Sequence, residues 1–315
     1  MSKTGIIDQE KQRRLWLRLG VLFWLVLVLF LLFSQLPDKN LHLVFCDVGQ
    51  GDAILAWIGK NQVLIDGGLP GEKEKLLSCL RSRMPFWDRQ IEVVVNTHPD
   101  EDHFGGLAEI INRYRVKNFV YNGFDNQESW RFQEFKKELI GKKVCSSKAD
   151  SFGSFKIRDV YFDILWPGTE VKTAQNSVQQ YFDPGTNSCP RPDFQNSGEN
   201  LNDQSVVIHL HRGQFDALLL ADIPSEVEQV LVWRKKIPPV EVLKIAHHGS
   251  RFSTSEELLT AASPQLAVIS VGENRFGHPT KEVLQKITDH GIELLRTDNN
   301  GAIEVVSDGR RWQIR

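Results

Sequence analysis

The sequence predicts an α/β fold preceded by one transmembrane helix. Three observations carry that expectation. From Leu15 to Phe33 the chain is apolar apart from Arg18. Beyond this run, short β-forming stretches alternate with amphipathic stretches of helical length. Several β-stretches stop at clusters of His and Asp, where open α/β sheets place their sites. The 315 residues suffice for one large α/β domain or two small ones. The expected division is a cytoplasmic segment 1–14, a transmembrane signal anchor 15–33, a linker 34–40 and an α/β domain 41–315.

As a helix, residues 15–33 would span about 28 Å, close to the hydrocarbon thickness of a bilayer. Arg18 lies near one end, where it can snorkel to the interface, and no polar face exists to turn to water. Lys3, Lys11, Arg13, Arg14 and Arg18 outweigh Asp8 and Glu10 by three charges, leaving −5 for the rest of a chain whose net charge is −2. The positive-inside rule then keeps 1–14 in the cytoplasm and exports the domain, giving a single-pass protein of the cell membrane. The run is long for a cleaved signal, and no small-x-small site follows Phe33. An acidic domain does not bind nucleic acid by bulk charge, so any such contact needs a local patch or bound metal. Cys46, Cys79, Cys145 and Cys189 are too few and too widely spaced for a zinc knuckle or disulfide scaffold. Cys46 and Cys79 lie in apolar stretches and read as core residues, whereas Cys145 and Cys189 could pair in an oxidising compartment.

The domain opens with a strand over 41–46, then Asp47-Val48-Gly49-Gln50-Gly51-Asp52, and strands over 53–58 and 62–65 ending in Asp66-Gly67-Gly68. A helix is expected over 72–83. The run Ile91 to Val95 reads as a buried strand delivering Asn96-Thr97-His98-Pro99-Asp100-Glu101-Asp102-His103-Phe104-Gly105-Gly106, with a helix following from Leu107. Strands over 118–121, 142–145, 154–157 and 160–166 flank a helix over 128–140. Residues 169–202 are polar and read as a long loop, either a lid or a surface insertion. A hairpin turns at Arg212-Gly213-Gln214 between strands 205–210 and 215–220. Ala221-Asp222-Ile223-Pro224 leads into a helix over 225–234. A strand over 240–245 ends in Ala246-His247-His248-Gly249-Ser250; a helix over 255–262, a strand over 266–270, Gly277-His278-Pro279, a helix over 281–290 and terminal strands finish the chain.

Three strands therefore end in ligand-type residues: His98, Asp100, Asp102 and His103, then Asp222, then His247 and His248. Imidazoles and carboxylates packed this closely repel or desolvate one another unless a cation holds them. Together they can hold two divalent cations, which lower the pKa of a shared water and clamp both oxygens of a displacement. Asp222 is the natural bridge. Neither a phosphate loop nor a dinucleotide fingerprint competes, and Gly49-Gln50-Gly51 is too short for the former. Asp47, Asp52 and Asp66 read as supporting residues.

The order strand-His-x-Asp-x-Asp-His-x-Gly-Gly, a later strand ending in Asp and a still later one ending in His resembles the metallo-β-lactamase superfamily. The finer resemblance is to the C-terminal domain of ComEC-type DNA-uptake proteins, through Asp47 to Asp52, Ile65 to Gly68, Asn202-x-x-Ser205, His247 to Ser250, Gly277 to Pro279 and Arg296-Thr297-Asp298. It covers residues 43 to 301 in one order. The resemblance implies a four-layer αβ/βα sandwich with metals at the strand ends, so that 41–315 would be a hydrolase domain. It implies His98 and Asp100 on a first metal, Asp102, His103 and His248 on a second, Asp222 between them, and His247 toward the substrate, with the two adjacent histidines interchangeable. The usual His-x-His-x-Asp-His has Asp100 for its second His, and a further usual His gives way to the Asn202 to Ser205 turn. A site richer in oxygen favours Mn²⁺ beside Zn²⁺. The DNA-uptake proteins resemble a multi-span channel joined to such a domain, whereas a single span is expected here; a separate channel would be a partner.

The expected activity is a metal-dependent phosphodiesterase outside the cytoplasmic membrane, a nuclease on DNA, single-stranded for preference, with His247, Asp102 and His278 catalytic. His247 and His278 would bind phosphate or protonate the leaving group. Rivals are hydrolysis of another ester, such as a phosphorylated cell-wall or lipid headgroup, and a non-catalytic DNA-binding module.

Overall fold

A computed structural model describes residues 3–34, 37–168, 190–196 and 200–315, with side chains except at 3–11 and 31–34. The chain divides into two compact units, residues 1–38 and Lys39–Arg315. The first holds one helix, α1 (Lys3–Ser34), whose apolar side chains, Trp16, Phe23 and Trp24 among them, are exposed. Among the described residues no helix is long and apolar enough to cross a membrane. The expected transmembrane helix is therefore not found among the described residues. Arg18 interrupts the apolar run, Arg13 and Arg14 precede it, and the side chains at 31–33 that would complete 15–33 lie outside the described residues.

In the second unit the chain forms β1 (Leu41–Phe45), β2 (Ile54–Ile58), β3 (Asn61–Ile65), α2 (Lys73–Arg81) and β4 (Gln90–Asn96). There follow α3 (Glu101–Phe104), α4 (Leu107–Arg113), β5 (Arg115–Tyr121), β6 (Phe124–Asp125), α5 (Trp130–Gly141), β7 (Cys145–Lys148) and α6 (Ala149–Phe152). Next come β8 (Phe155–Ile157), β9 (Val160–Trp166), β10 (Gln195–Asn196), β11 (Val207–Arg212), β12 (Phe215–Leu219) and α7 (Ser225–Trp233). The last elements are β13 (Val242–Lys244), α8 (Glu256–Ala262), β14 (Leu266–Ile269), α9 (Lys281–Asp289), β15 (Glu293–Arg296), α10 (Thr297–Asn300), β16 (Ile303–Ser307) and β17 (Trp312–Ile314).

Two sheets result, eight strands in the order β17-β16-β1-β2-β3-β4-β5-β7 and seven in the order β15-β14-β13-β12-β11-β9-β8. Strands β3, β4, β5 and β7 run parallel, as do β12 to β15. Alternating side chains explain the layers. Leu43, Phe45, Val95, Ile208, Leu219 and Val268 point into the space between the sheets. Leu55, Leu64 and Val94 point outward from the first sheet, against Leu76, Ile110, Phe132 and Phe135 of its helices. Leu218, Leu243 and Ala267 do the same on the second, against Leu231, Leu259 and Val283. Each fully buried Leu or Phe contributes about 1.5–3 kcal/mol. The result is the expected αβ/βα sandwich.

Local chemistry set most boundaries. Ser129, whose hydroxyl accepts from the Phe132 N–H at 3.3 Å, starts α5 two residues later than patterning suggested. The strand expected at 142–145 is displaced to Cys145–Lys148 by pairing with β5. Arg212 pairs with Phe215 across a two-residue turn in which Gly213 has φ +62°. The long polar loop expected over 169–202 lies largely outside the described residues. Phe194 packs against Tyr121 and Phe132, and β10 pairs with β6.

Cys46 and Cys79 are buried in the core as expected, but they are joined in a disulfide. Packing of α2 on the first sheet brings their Cα atoms within 5.9 Å, a proximity that linear spacing does not reveal. Cys145 is also disulfide-bonded; the expected pairing with Cys189 involves a residue outside the described set. The Cys46–Cys79 loop of 33 residues is expected to stabilise the fold by about 3–4 kcal/mol through the unfolded chain. Cys79→Ala should therefore lower the urea midpoint well below that of the native domain, and an unchanged midpoint would remove the disulfide from its stabilising role.

Candidate metal centre

The C-terminal ends of β3, β4, β12 and β13 deliver one cluster. After β4, Asn96 Nδ2 donates to the His98 carbonyl at 2.8 Å and bends the chain. Asp100 is extended before the turn of α3, which directs His103 inward. Asp66, Ala221, His247 and His248 all have positive φ, of 59°, 49°, 48° and 54°. Left-handed backbone at residues other than glycine costs about 1–2 kcal/mol each, so the surrounding structure must impose it. One constraint is the His247 N–H donating to the Ala221 carbonyl at 2.9 Å. The Gly49 to Asp52 loop closes the other side: the Asp52 N–H donates to the Asp102 carbonyl at 3.0 Å, and a Cβ at Gly51 would collide with that carbonyl.

Hydrogen bonds fix the imidazoles. His248 Nδ1 lies 2.8 Å from the Ser270 carbonyl, which can only accept, so Nδ1 carries a proton. His103 Nδ1 lies 2.8 Å from Asp66 Oδ2 and donates to it. Thr97 Oγ1 donates its one proton to Asp66 Oδ2 at 2.6 Å and must accept from His98 Nδ1 at 3.0 Å. All three rings thus spend Nδ1 on the protein. Their Nε2 atoms, with Asp222 Oδ1, are buried without a hydrogen-bond partner.

These atoms converge. Ligand atoms of His98, His103 and Asp222 lie within 4.8 Å of one another, as do those of Asp102, His103 and His248, and those of Asp52, Asp222 and His248. Imidazoles and carboxylates gathered in such overlapping buried groups fit divalent cations. Asp66, Thr97 and the Ser270 carbonyl orient the rings from behind, the usual support of metal-binding histidines.

Without a cation, protons neutralise the cluster. Burial alone depresses His248, but the carboxylates of Asp222 and Asp102, each 3.4 Å from Nε2, reverse this and lift it to about 10. His103 is likewise raised against burial by Asp222 and Asp66. Burial pushes Asp222 and Asp102 up, yet the charges of His103 and His248 and the hydrogen bonds hold both below the carboxylate range. His98 falls to about 4 through burial and the charge of His103. Burial lifts Asp100 to about 6.

The structure brings His98, Asp102, His103, Asp222 and His248 together. Asp100 reaches this group through His98, its Oδ2 3.6 Å from Nε2. The expected partition is less clean than two separate sets, because His103 and Asp222 each belong to more than one grouping. His248 is the histidine of the pair that enters the cluster. His247 is partly exposed, its Nε2 3.8 Å from Asp222 Oδ2, and its ring faces His278 at 5.7 Å. His278 Nδ1 is buried without a partner, and burial together with the neighbouring histidines lowers its pKa. Asp52 and Asp66 back the cluster, whereas Asp47 accepts from the Gly49 N–H at 3.2 Å and serves its own loop.

Lys244 escaped sequence reasoning. Its ammonium is fully buried, 2.6 Å from Asp52 Oδ2, and Asp52 Oδ1 lies 3.6 Å from His248 Nδ1. A lysine closing an otherwise apolar strand was the available signal. The Asn202 to Ser205 turn is also placed beside the cluster: the Val206 N–H donates to the Thr97 carbonyl at 3.0 Å, and Asn202 Oδ1 and Ser205 Oγ are buried without a partner.

Residues 46–190 match the model of the metallo-beta-lactamase superfamily. Over this segment the chain resembles that superfamily. Its sequence relatives include ComE operon protein 3 of Bacillus subtilis (strain 168), 25% identical over 95% of this chain and 37% of that protein. Competence protein ComA of Neisseria gonorrhoeae is 26% identical over 91% of this chain and 36% of that protein. Recombination protein 2 of Haemophilus influenzae is 27% identical over 90% and 31%. The chain thus spans about a third of the length of these relatives. Among solved structures, the metallo-β-lactamase fold protein YhfI from Bacillus subtilis shares the fold with a TM-score of 0.51 and 9% identity, over 84% of this chain and 99% of its own. CmlA, a diiron β-hydroxylase from Streptomyces venezuelae, does so with 0.50 and 12%, over 85% and 54%. Both likenesses concern the fold alone.

Metal uptake should displace the protons held on His103 and His248, about two per cluster at pH 7.5. Affinity should rise with pH as Asp100 ionises through about 6 and as His248 loses its proton toward about 10. Calorimetry of Mn²⁺ or Zn²⁺ binding in buffers of different ionisation enthalpy measures this release; a buffer-independent heat would contradict it.

Proposed function

We propose that this protein is a metal-dependent phosphodiesterase that cleaves DNA outside the cytoplasm. The observation that carries the reading is that buried residues with unpartnered Nε2 atoms gather with carboxylates in overlapping groups, His98 and His103 with Asp222, and His103 and His248 with Asp102. Divalent cations held there, Zn²⁺ or Mn²⁺, would supply Lewis acidity and an ionised water at neutral pH. His98, Asp102, His103 and His248 would hold them, with Asp100 beside His98 and Asp222 shared between two sites.

The chain's own groups supply the rest. Asp66 and the Ser270 carbonyl keep Nδ1 protonated, so that Nε2 remains a lone-pair donor. His247, partly exposed and adjacent to Asp222, stands where it can give a proton to a departing alkoxide. His278, kept neutral by burial, can hydrogen-bond a phosphoryl oxygen. DNA as substrate is supported by relatives named for competence and recombination. Two disulfide-bonded positions, Cys46–Cys79 and Cys145, suit an oxidising compartment and support an exported domain.

The metal-loaded protein should hydrolyse both single-stranded DNA and a chromogenic phosphodiester. Asp102→Ala should lower kcat/KM on both by about a hundred- to a thousandfold. Hydrolysis of the small ester alone would move the substrate to another phosphodiester, such as a cell-wall or lipid headgroup. Inert, metal-loaded protein that retains DNA would make the domain a binding module.

We also assign the exposed apolar face of α1 to membrane attachment, with the hydrolase domain outside and a separate DNA channel as candidate partner. The full chain should sediment with membranes and a chain beginning at Lys39 should not; equal solubility of the two would exclude that role.

A further inference from the structure

The domain's acidity leaves DNA affinity to a local patch, and one candidate is anchored on the cavity that Asp102 lines. Three exposed aromatic side chains each carry an arginine. The guanidinium of Arg275 lies 5.6 Å from the Phe276 ring centroid, that of Arg251 6.0 Å from Phe252, and that of Arg131 4.9 Å from Trp130. The rings are 59%, 68% and 62% exposed. A lone exposed aromatic needs no explanation; three, each paired with a cation, on segments joined to the cluster or its cavity, do.

Their placement relative to the cluster is fixed. A cavity of about 670 Å³ has Asp102 and Gln50 on one side and Arg275 and Phe276 on another. Phe276 stacks on His278, centroids 5.8 Å apart, and His278 faces His247. The loop is held rigid by Asn274, whose Nδ2 donates to the Gly272 and His278 carbonyls at 2.9 and 2.8 Å. Its Oδ1 accepts from the Phe276 and His278 N–H groups at 3.1 and 3.0 Å. Arg251 and Phe252 directly follow the His247 to Ser250 turn, and the Arg251 charge reaches His278. Trp130 begins α5, and the neighbouring Arg131 grips Glu101, another cavity residue, at 2.9 and 3.1 Å. That pairing also removes an anionic wall, leaving Glu273 as the cavity's other carboxylate beside Asp102.

Aromatic faces alternating with guanidinium groups bind unpaired bases by stacking and the backbone by charge. A duplex hides its base faces, so this arrangement selects single strands. We infer that Trp130, Phe276 and Phe252, with Arg275 and Arg251, form a stacking platform that leads a single nucleic-acid strand across the metal centre. This rests on the phosphodiesterase reading and names its substrate class. These are substrate-positioning residues, separate from the metal-binding groups.

Binding of a fluorescein-labelled thymidine 12-mer by the full chain, read by anisotropy in EDTA to block hydrolysis, tests the platform. Phe276→Ala, Phe252→Ala and Trp130→Ala should each weaken binding roughly 5- to 150-fold, whereas Phe276→Trp should retain it. In the metal-loaded protein Phe276→Ala should raise KM for the oligonucleotide more than KM for bis(p-nitrophenyl) phosphate, which has no base to stack. Equal affinity of the alanine variants and the native chain, or of an abasic strand of the same length, would overturn the platform while leaving phosphodiester hydrolysis standing. Native protein that binds the strand but hydrolyses neither substrate would instead overturn the catalytic reading and leave the platform in place.

Discussion

The metal centre depends on how Asp66 and Thr97 dispose of protons. Asp66 accepts from the Thr97 backbone at 2.8 Å, from the Thr97 hydroxyl at 2.6 Å and from His103 Nδ1 at 2.8 Å. Because the hydroxyl has one proton and gives it to Asp66, it must accept from His98. One buried carboxylate therefore sets the tautomer of two imidazoles at the ends of a single loop. Ser270 does the same for the third from the other sheet. Without these partners each ring could rotate or exchange its proton, and the convergence of bare nitrogens would be lost.

The scaffold serves that arrangement. Parallel strands in both sheets bring their C-terminal ends to one rim, so residues distant in sequence become neighbours without long connections. Left-handed backbone at Asp66, Ala221, His247 and His248 lies on this rim. Hydrogen bonds between loops, such as His247 N–H to Ala221 and Asp52 N–H to Asp102, hold the strained residues in place. The Cys46–Cys79 disulfide ties the end of the first strand, next to the Gly49 to Asp52 loop, to the helix covering that sheet.

The electrostatics divide the rim in two. Inside, Asp52, Asp66, Asp102 and Asp222 surround the imidazoles, with Lys244 buried against Asp52, and a cation or protons must balance them. Outside, arginines lie over exposed rings and offer positive charge and flat surfaces to a polyanion. An acidic domain can thereby attract a nucleic-acid strand at one place without being basic overall.

Much of this was legible in the residue order. Periodicity placed strands such as Val160 to Trp166 and helices such as Leu107 to Arg113, because alternating burial leaves a direct imprint on sequence. The motif residues from His98 to His103, Asp222 and the histidine doublet announced a metal site, since so many ligand-type groups at strand ends have little other chemistry to perform. Sequence could not choose between His247 and His248, pair Cys46 with Cys79, find Lys244, or group the aromatics with their arginines. It also presented an apolar N-terminal run as a span, and among the described residues no helix is long and apolar enough to be one. Those matters turn on distance and ring orientation in space, which are set by how two sheets close on each other; the linear order fixed which chemistry was available, and only tertiary packing decided which atoms meet.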